Sequence, residues 1–231
     1  MKRKFDPAEL ELMDRPQPVS AELERDLRNL RELNRWFGSY TLIQHFLRRW
    51  IKTRANIRIV DLATGSGDIP RLIVDYARTV GATVKIDAIE QNSATVSIAR
   101  KLSSAHPEIS IIEGNVLEFQ ATEPYDIVLC SLVLHHFSSE DAVRLLRNCR
   151  QLSRKFALVS DLRRSYLATI GVYVLTATIF REPMTRTDGR LSAERAFSFA
   201  EFRSLAERAG WERFGHAKFR FARQALWLDG A

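Results

Sequence analysis

The chain has 231 residues, 45% of them hydrophobic and 27% charged, which supplies a sizeable core and excludes global disorder. That length fits one large domain, or a domain with a cap. The net charge is +7, but the arginines are scattered, with clusters only at "LRRW" and "LRRS", so a solvated basic surface is expected rather than a nucleic-acid partner.

The start, "MKRKFDPAELELMD", is basic but lacks the apolar region of a secretory signal, and a cytoplasmic protein is expected. After the proline-containing linker "DRPQPVS", the segment "SAELERDLRNLRELNRWFG" opens with a capping Ser20. It then places Leu23, Leu27, Leu30, Leu33 and Phe37 on one stripe, and Gly38 can end it. A second helix follows over about residues 40–51. These helices suggest an N-terminal cap over residues 1–54.

From residue 57 strands and helices alternate. "IRIVDL", "ATVKIDAIE", "ISIIEGN", "YDIVLCSLVL" and "KFALVSDL" read as strands. "DIPRLIVDYARTV", "SATVSIARKLSSA" and "EDAVRLLRNCRQL" read as the helices between them. This rhythm predicts an α/β fold with a parallel sheet covered by helices.

A charge-free run, 166–180, then interrupts it. The run is shorter than the roughly 20 residues a membrane span needs, so it reads as a buried helix or a pocket wall. With the polar "REPMTRTDGRLS" it forms an expected insertion at about 164–196. "FAEFRSLAERAG" restores a helix, and "WERFGHAKF" with "RFARQALWL" reads as a closing hairpin. The whole is a Rossmann-like, seven-stranded, mostly parallel sheet with an antiparallel C-terminal hairpin, over residues 55–231.

The stretch "VDLATGSGDIP" lies where the first strand meets the first sheet helix. Glycines in such a turn allow a positive φ and let the backbone approach a ligand. The turn alone does not distinguish a nicotinamide, a flavin or S-adenosylmethionine. The second strand ends in Glu90, an acid placed to bind both hydroxyls of a ribose. The third ends in "EGNV" and the fourth runs on to "LHHF".

In this order the motifs resemble those of class I S-adenosylmethionine-dependent methyltransferases, from residue 57 to about 161. "ELMD", "LNRWFG" and "VSDLRRS" resemble a bacterial subgroup of small-molecule enzymes from quinone and secondary metabolism. The resemblance implies that Asp61 orders the turn and that Ala63, Gly65 and Gly67 line the methionine part of the cofactor. The family commonly has Gly where Ala63 stands, a small departure if φ there is negative. Asp68 would cap the helix or approach the cofactor's amino group. Glu90 would hold the ribose, Gln91, Asn115 and Val116 would meet the adenine, and Ser131 would face the methionine end.

Methyl transfer to a hydroxyl needs alignment and removal of a proton, a task that suits an imidazole titrating near neutrality. His135 is the first candidate base, His136 the second, and Asp161 after the fifth strand would orient the ring or contact the acceptor. Phe37, Tyr166 and Tyr173 are candidate walls for an aromatic or polyketide-like acceptor. No metal is expected, since Cys130 and Cys149 form no metal-spaced cluster. Left open are C- or N-methylation of a quinone, an RNA methyltransferase, for which an "NPPY"-type motif is missing, and a non-catalytic cofactor-binding protein.

Overall fold

The computed structural model describes residues 2–180 and 182–230. After a single 3-10 turn at Leu12–Asp14 come α1 (Ala21–Trp36) and α2 (Ser39–Trp50). The sheet unit runs β1 (Asn56–Leu62), α3 (Asp68–Val80), β2 (Thr83–Glu90), α4 (Ser93–Leu102), β3 (Ile109–Glu113) and β4 (Tyr125–Ser131). A second 3-10 turn, Leu134–His136, leads to α5 (Ser139–Leu152) and β5 (Ser153–Leu162). Then come α6 (Tyr166–Thr178), α7 (Pro183–Arg195), α8 (Phe199–Arg208), β6 (Gly215–Phe219) and β7 (Arg223–Asp229).

The seven strands lie in the order β3-β2-β1-β4-β5-β7-β6. β1 to β5 pair in parallel, whereas β7 runs antiparallel to both β5 and β6. The order reverses between β1 and β4, and in open α/β sheets that reversal opens a crevice at the carboxyl ends of the strands.

Alternate residues of each central strand are buried on opposite faces. Ile57 and Ile59, with Ile127, Leu129 and Leu158, pack under α2 and α3. Val60, Leu62, Val128, Cys130 and Val159 pack under α5 and α8. Burial on both faces is why these strands read as continuous apolar runs.

The N-terminal helices have different roles. Leu42, Ile43, Phe46, Leu47 and Trp50 of α2 join the core beneath the sheet. α1 lies farther out, with Leu23 and Leu27 against Ala94 and Ile98 of α4 and Met184 of α7. Ser20 caps α1 by accepting from the Leu23 amide, and Gly38, at φ 82°, makes the turn into α2.

The insertion is more regular than its polar sequence implies. α7 forms where the sequence reading has only a polar interruption, and Pro183 occupies its first turn, a position that costs the helix no hydrogen bond. Arg181 of that segment lies outside the described residues. Among the described residues no helix is long and apolar enough to cross a membrane.

Candidate functional site

A cavity of about 760 Å³ opens at the carboxyl ends of the strands, well within the range of roughly 300–1,000 Å³ typical of ligand sites. Its floor is the turn after β1. Asp61 is buried and accepts from the Thr64 hydroxyl at 2.7 Å, which closes the turn. Burial pushes its carboxyl up to about 7 against that hydrogen bond. Gly65 has φ 54°, and its N–H donates to Glu90 Oε2 at 3.0 Å. A Cβ built there would meet no protein atom within 4 Å, so bare backbone borders the open cavity.

Glu90 accepts a second bond at Oε1 from the Asn92 amide at 2.9 Å. Burial raises its pKa against these backbone bonds. Each oxygen keeps a further lone pair for a ligand hydroxyl. Asp68, at the start of α3, accepts from Asn34 Nδ2 at 3.2 Å and from the Tyr40 hydroxyl at 2.9 Å, which fastens α1 and α2 to the turn.

Ala63 departs from the sequence expectation. Its φ is +61°, in the left-handed region, where an L-residue with a Cβ is strained by about 1–2 kcal/mol. The alanine therefore sits where glycine would be relaxed. Leu132, on the opposite wall after β4, has φ 59° and carries the same kind of strain.

Asp61, Ala63, Gly65, Asp68, Glu90, Gln91, Val116, Ser131, His135, His136 and Phe37 all border the cavity. Gly67 does not: at φ 72° it precedes α3, with Arg71 and Ser103 behind it. Asn115 is exposed and off the cavity wall, its Oδ1 accepting from the Leu117 amide at 2.9 Å as a local turn.

Tyr166 is 72% exposed and off the wall, and the Tyr173 hydroxyl turns outward to donate to Glu194 at 2.9 Å. α6 instead offers Leu167, Ala168, Gly171, Val172 and Leu175, a stripe at helical spacing. A helix that is apolar all round does not announce this face in its sequence.

The histidines stand on the opposite wall. His135 is 3% exposed. Its Nδ1 lies 2.6 Å from Asp161 Oδ1, and its backbone N–H donates to Asp161 Oδ2 at 2.9 Å. Asp161 also accepts from the Leu162 amide at 2.6 Å, so it is an acceptor throughout. That assigns the ring proton to Nδ1 and, in the neutral imidazole, leaves the Nε2 lone pair free. His136 Nδ1 lies 2.7 Å from Asp14 Oδ2. Burial opposes charge on His136, but Glu11 and Asp14 outweigh it and lift its pKa to about 10. The two carboxylates thus favour the charged form of its ring.

Two acids here have no role in the sequence reading. Glu11, 2% exposed, and Asp14 come from "ELMD" at the start of the chain. This segment straps across the site. The Leu12 and Met13 amides donate to Asp188 of α7, Asn92 Nδ2 donates to the Met13 carbonyl, and Arg3 donates to the carbonyls of His135 and Phe137.

Residues 59–155 match the family described as "Methyltransferase domain". That match covers less than half of the chain, and the sheet order with its antiparallel hairpin gives the chain the Rossmann-like fold of its methyltransferase neighbours. Among curated proteins it is similar to 2-phytyl-1,4-naphtoquinone methyltransferase of Thermosynechococcus vestitus (strain NIES-2133 / IAM M-273 / BP-1), 28% identical over 81 residues, 35% of each chain. It is also similar to tRNA1(Val) (adenine(37)-N6)-methyltransferase of Aeromonas salmonicida (strain A449), 30% identical over 86 residues, 36% of this chain and 35% of the relative. The matches thus span about a third of these relatives. Among solved structures, the plantazolicin methyltransferase BpumL in complex with SAH has a TM-score of 0.67 at 13% identity, covering 92% of this chain and 91% of that one.

Proposed function

We propose that the protein is an S-adenosylmethionine-dependent methyltransferase acting on the oxygen of a small, fairly apolar acceptor, with His135 as the base. The observation that carries this reading is the His135–Asp161 pair, which leaves a free Nε2 lone pair on the wall of the cavity that also holds Gly65 and Glu90.

The residues present fit the cofactor. The Glu90 carboxylate matches a ribose diol, the bare Gly65 backbone admits a close ligand, and Val116 gives an apolar seat for adenine. Ala63 and Ser131 border the same cavity and would face the methionine end. When bound, S-adenosylmethionine supplies a methyl group on a positively charged sulfur that departs neutral and needs no acid. What the chain must add is alignment and a proton acceptor. The acceptor's hydroxyl proton passes to His135 Nε2, and Asp161 stabilises the imidazolium that forms.

The acceptor side is lined by Phe37, Leu167, Gly171, Val172, Leu175 and Phe180. Such a wall favours an aromatic or polyketide-like molecule. Likeness to a naphthoquinone enzyme supports a second reading, methylation of a ring carbon. Likeness to a tRNA enzyme carries less weight, because Ser131-Leu132-Val133-Leu134 stands where a base-methylating motif would follow β4.

The test is to incubate the protein with S-adenosylmethionine and a panel of alkylated phenols and naphthoquinones, then locate the new methyl group by NMR. An O-methyl product is expected. A C-methyl product instead would move the assignment to the second reading.

A further inference from the structure

We infer that Glu11, His135 and His136 form a binding site for one divalent transition-metal ion of the zinc class. Ligand atoms of these three side chains lie within 4.8 Å of one another. Glu11 Oε1 is 3.9 Å from His135 Nε2, and Glu11 Oε2 is 3.8 Å from His136 Nε2. In a tetrahedral zinc site, bond lengths of about 2.1 Å put neighbouring ligand atoms ~3.4 Å apart, so the side chains need to close by up to about 1.4 Å for one oxygen to serve with both histidines.

The surroundings are those of a metal centre. Each histidine turns Nε2 toward Glu11 because its Nδ1 is held by a separate carboxylate, Asp161 at 2.6 Å and Asp14 at 2.7 Å. Metal-ligating histidines are oriented by such outer carboxylates, which fix the tautomer and raise the basicity of the ligating nitrogen. Glu11 is itself positioned by the Ser192 hydroxyl, which donates to Oε1 at 2.8 Å. Glu11 and Asp161 are each at most 2% exposed, and Asp14 stands beside them. A dication offsets this buried negative charge and takes the place of the proton on His136, while two imidazoles and one carboxylate suit zinc, cobalt or nickel better than magnesium or calcium. All three ligands border the cavity, so an ion can enter and keep an open position toward it.

Occupation takes the Nε2 lone pair of His135, so the ion should also halt methyl transfer. That consequence rests on His135 being the base; the binding itself does not. No ligand spacing in the sequence announces this site, because Glu11 reaches the histidines only through the fold.

Cobalt(II) tests the site in the full chain, followed by its visible absorption and by calorimetry. One ion per chain is expected, with a d–d spectrum of low coordination number. Asp14→Asn should weaken binding about 10–100-fold. Glu11→Gln and His136→Asn should lose at least as much, while S-adenosylhomocysteine binding within about threefold of wild type shows that the variants are folded. No stoichiometric cobalt or zinc binding, or binding unchanged in both ligand variants, overturns the site. Stoichiometric cobalt with undiminished transfer upholds the site and removes His135 as the base.

Discussion

His135 Nδ1 sits 2.6 Å from Asp161 Oδ1 at the ends of neighbouring strands, and the same carboxylate receives the His135 backbone N–H. One side chain thus fixes both the ring and the turn that carries it. A general base contributes about 10²–10⁴-fold, so His135→Ala should cut turnover by at least about a hundredfold. Affinity for S-adenosylhomocysteine should stay within about threefold. Asp161→Asn can no longer accept at both oxygens, so it should lower turnover less than His135→Ala and also lower the melting temperature. Both are read by steady-state turnover beside calorimetry and a melting curve. Turnover retained in the alanine variant makes the histidine a purely structural part of the turn.

Ala63 and Gly65 invite opposite substitutions. At φ +61° Ala63→Gly relieves strain, offset in part by greater freedom of the unfolded chain, for a net gain of up to about 1 kcal/mol. Gly65→Ala, at φ 54°, should cost about 1 kcal/mol and weaken cofactor binding, because its methyl enters the open cavity. Urea midpoints of the two variants should move in opposite directions, and a loss of stability in Ala63→Gly contradicts the assignment.

The stripe on α6 separates acceptor from cofactor effects. Val172→Trp should fill the acceptor end, raising the acceptor KM or abolishing turnover while S-adenosylhomocysteine binds as before. Tyr166→Ala, on the exposed face, should change neither. Equal effects at the two positions contradict the orientation of α6.

Burial lifts the Asp188 carboxyl from 3.8 to about 7, beside the charge of Glu11 and against two backbone hydrogen bonds. Between those values the folded chain holds a proton that the unfolded chain has released. Stability from this group is present below about pH 4 and is lost as pH rises to about 7, at up to about 1.4 kcal/mol per pH unit. Asp188→Asn should make the fall of melting temperature between pH 5 and 7 shallower, with Asp61 and Asp26 carrying the remainder. An unchanged slope places the titration elsewhere.

The strands and sheet helices were legible because burial on both faces leaves short β-branched runs, and amphipathic helices leave a 3.6-residue stripe. The turn after β1 was legible because its glycines accept a positive φ readily, whereas the departure at Ala63 was expected to be small only at a negative φ, and its φ is +61°. α7 was not legible as a helix. Its buried residues include Thr185, Asp188 and Arg195, polar groups whose partners lie on α1 and the N-terminal strap. The outward turn of Tyr166 and Tyr173 was hidden by a segment apolar on every side. Glu11 and Asp14 gain meaning only from histidines that the fold brings to them.

The central claim, a methyltransferase cofactor seated against Gly65 and Glu90, is met most directly by calorimetry on the purified protein. S-adenosylhomocysteine should bind to wild type and at least tenfold more weakly to Glu90→Ala, since bonds to a charged acceptor are worth roughly 1.5–3 kcal/mol each. Heat on titrating NAD, with none from S-adenosylhomocysteine, would contradict the account.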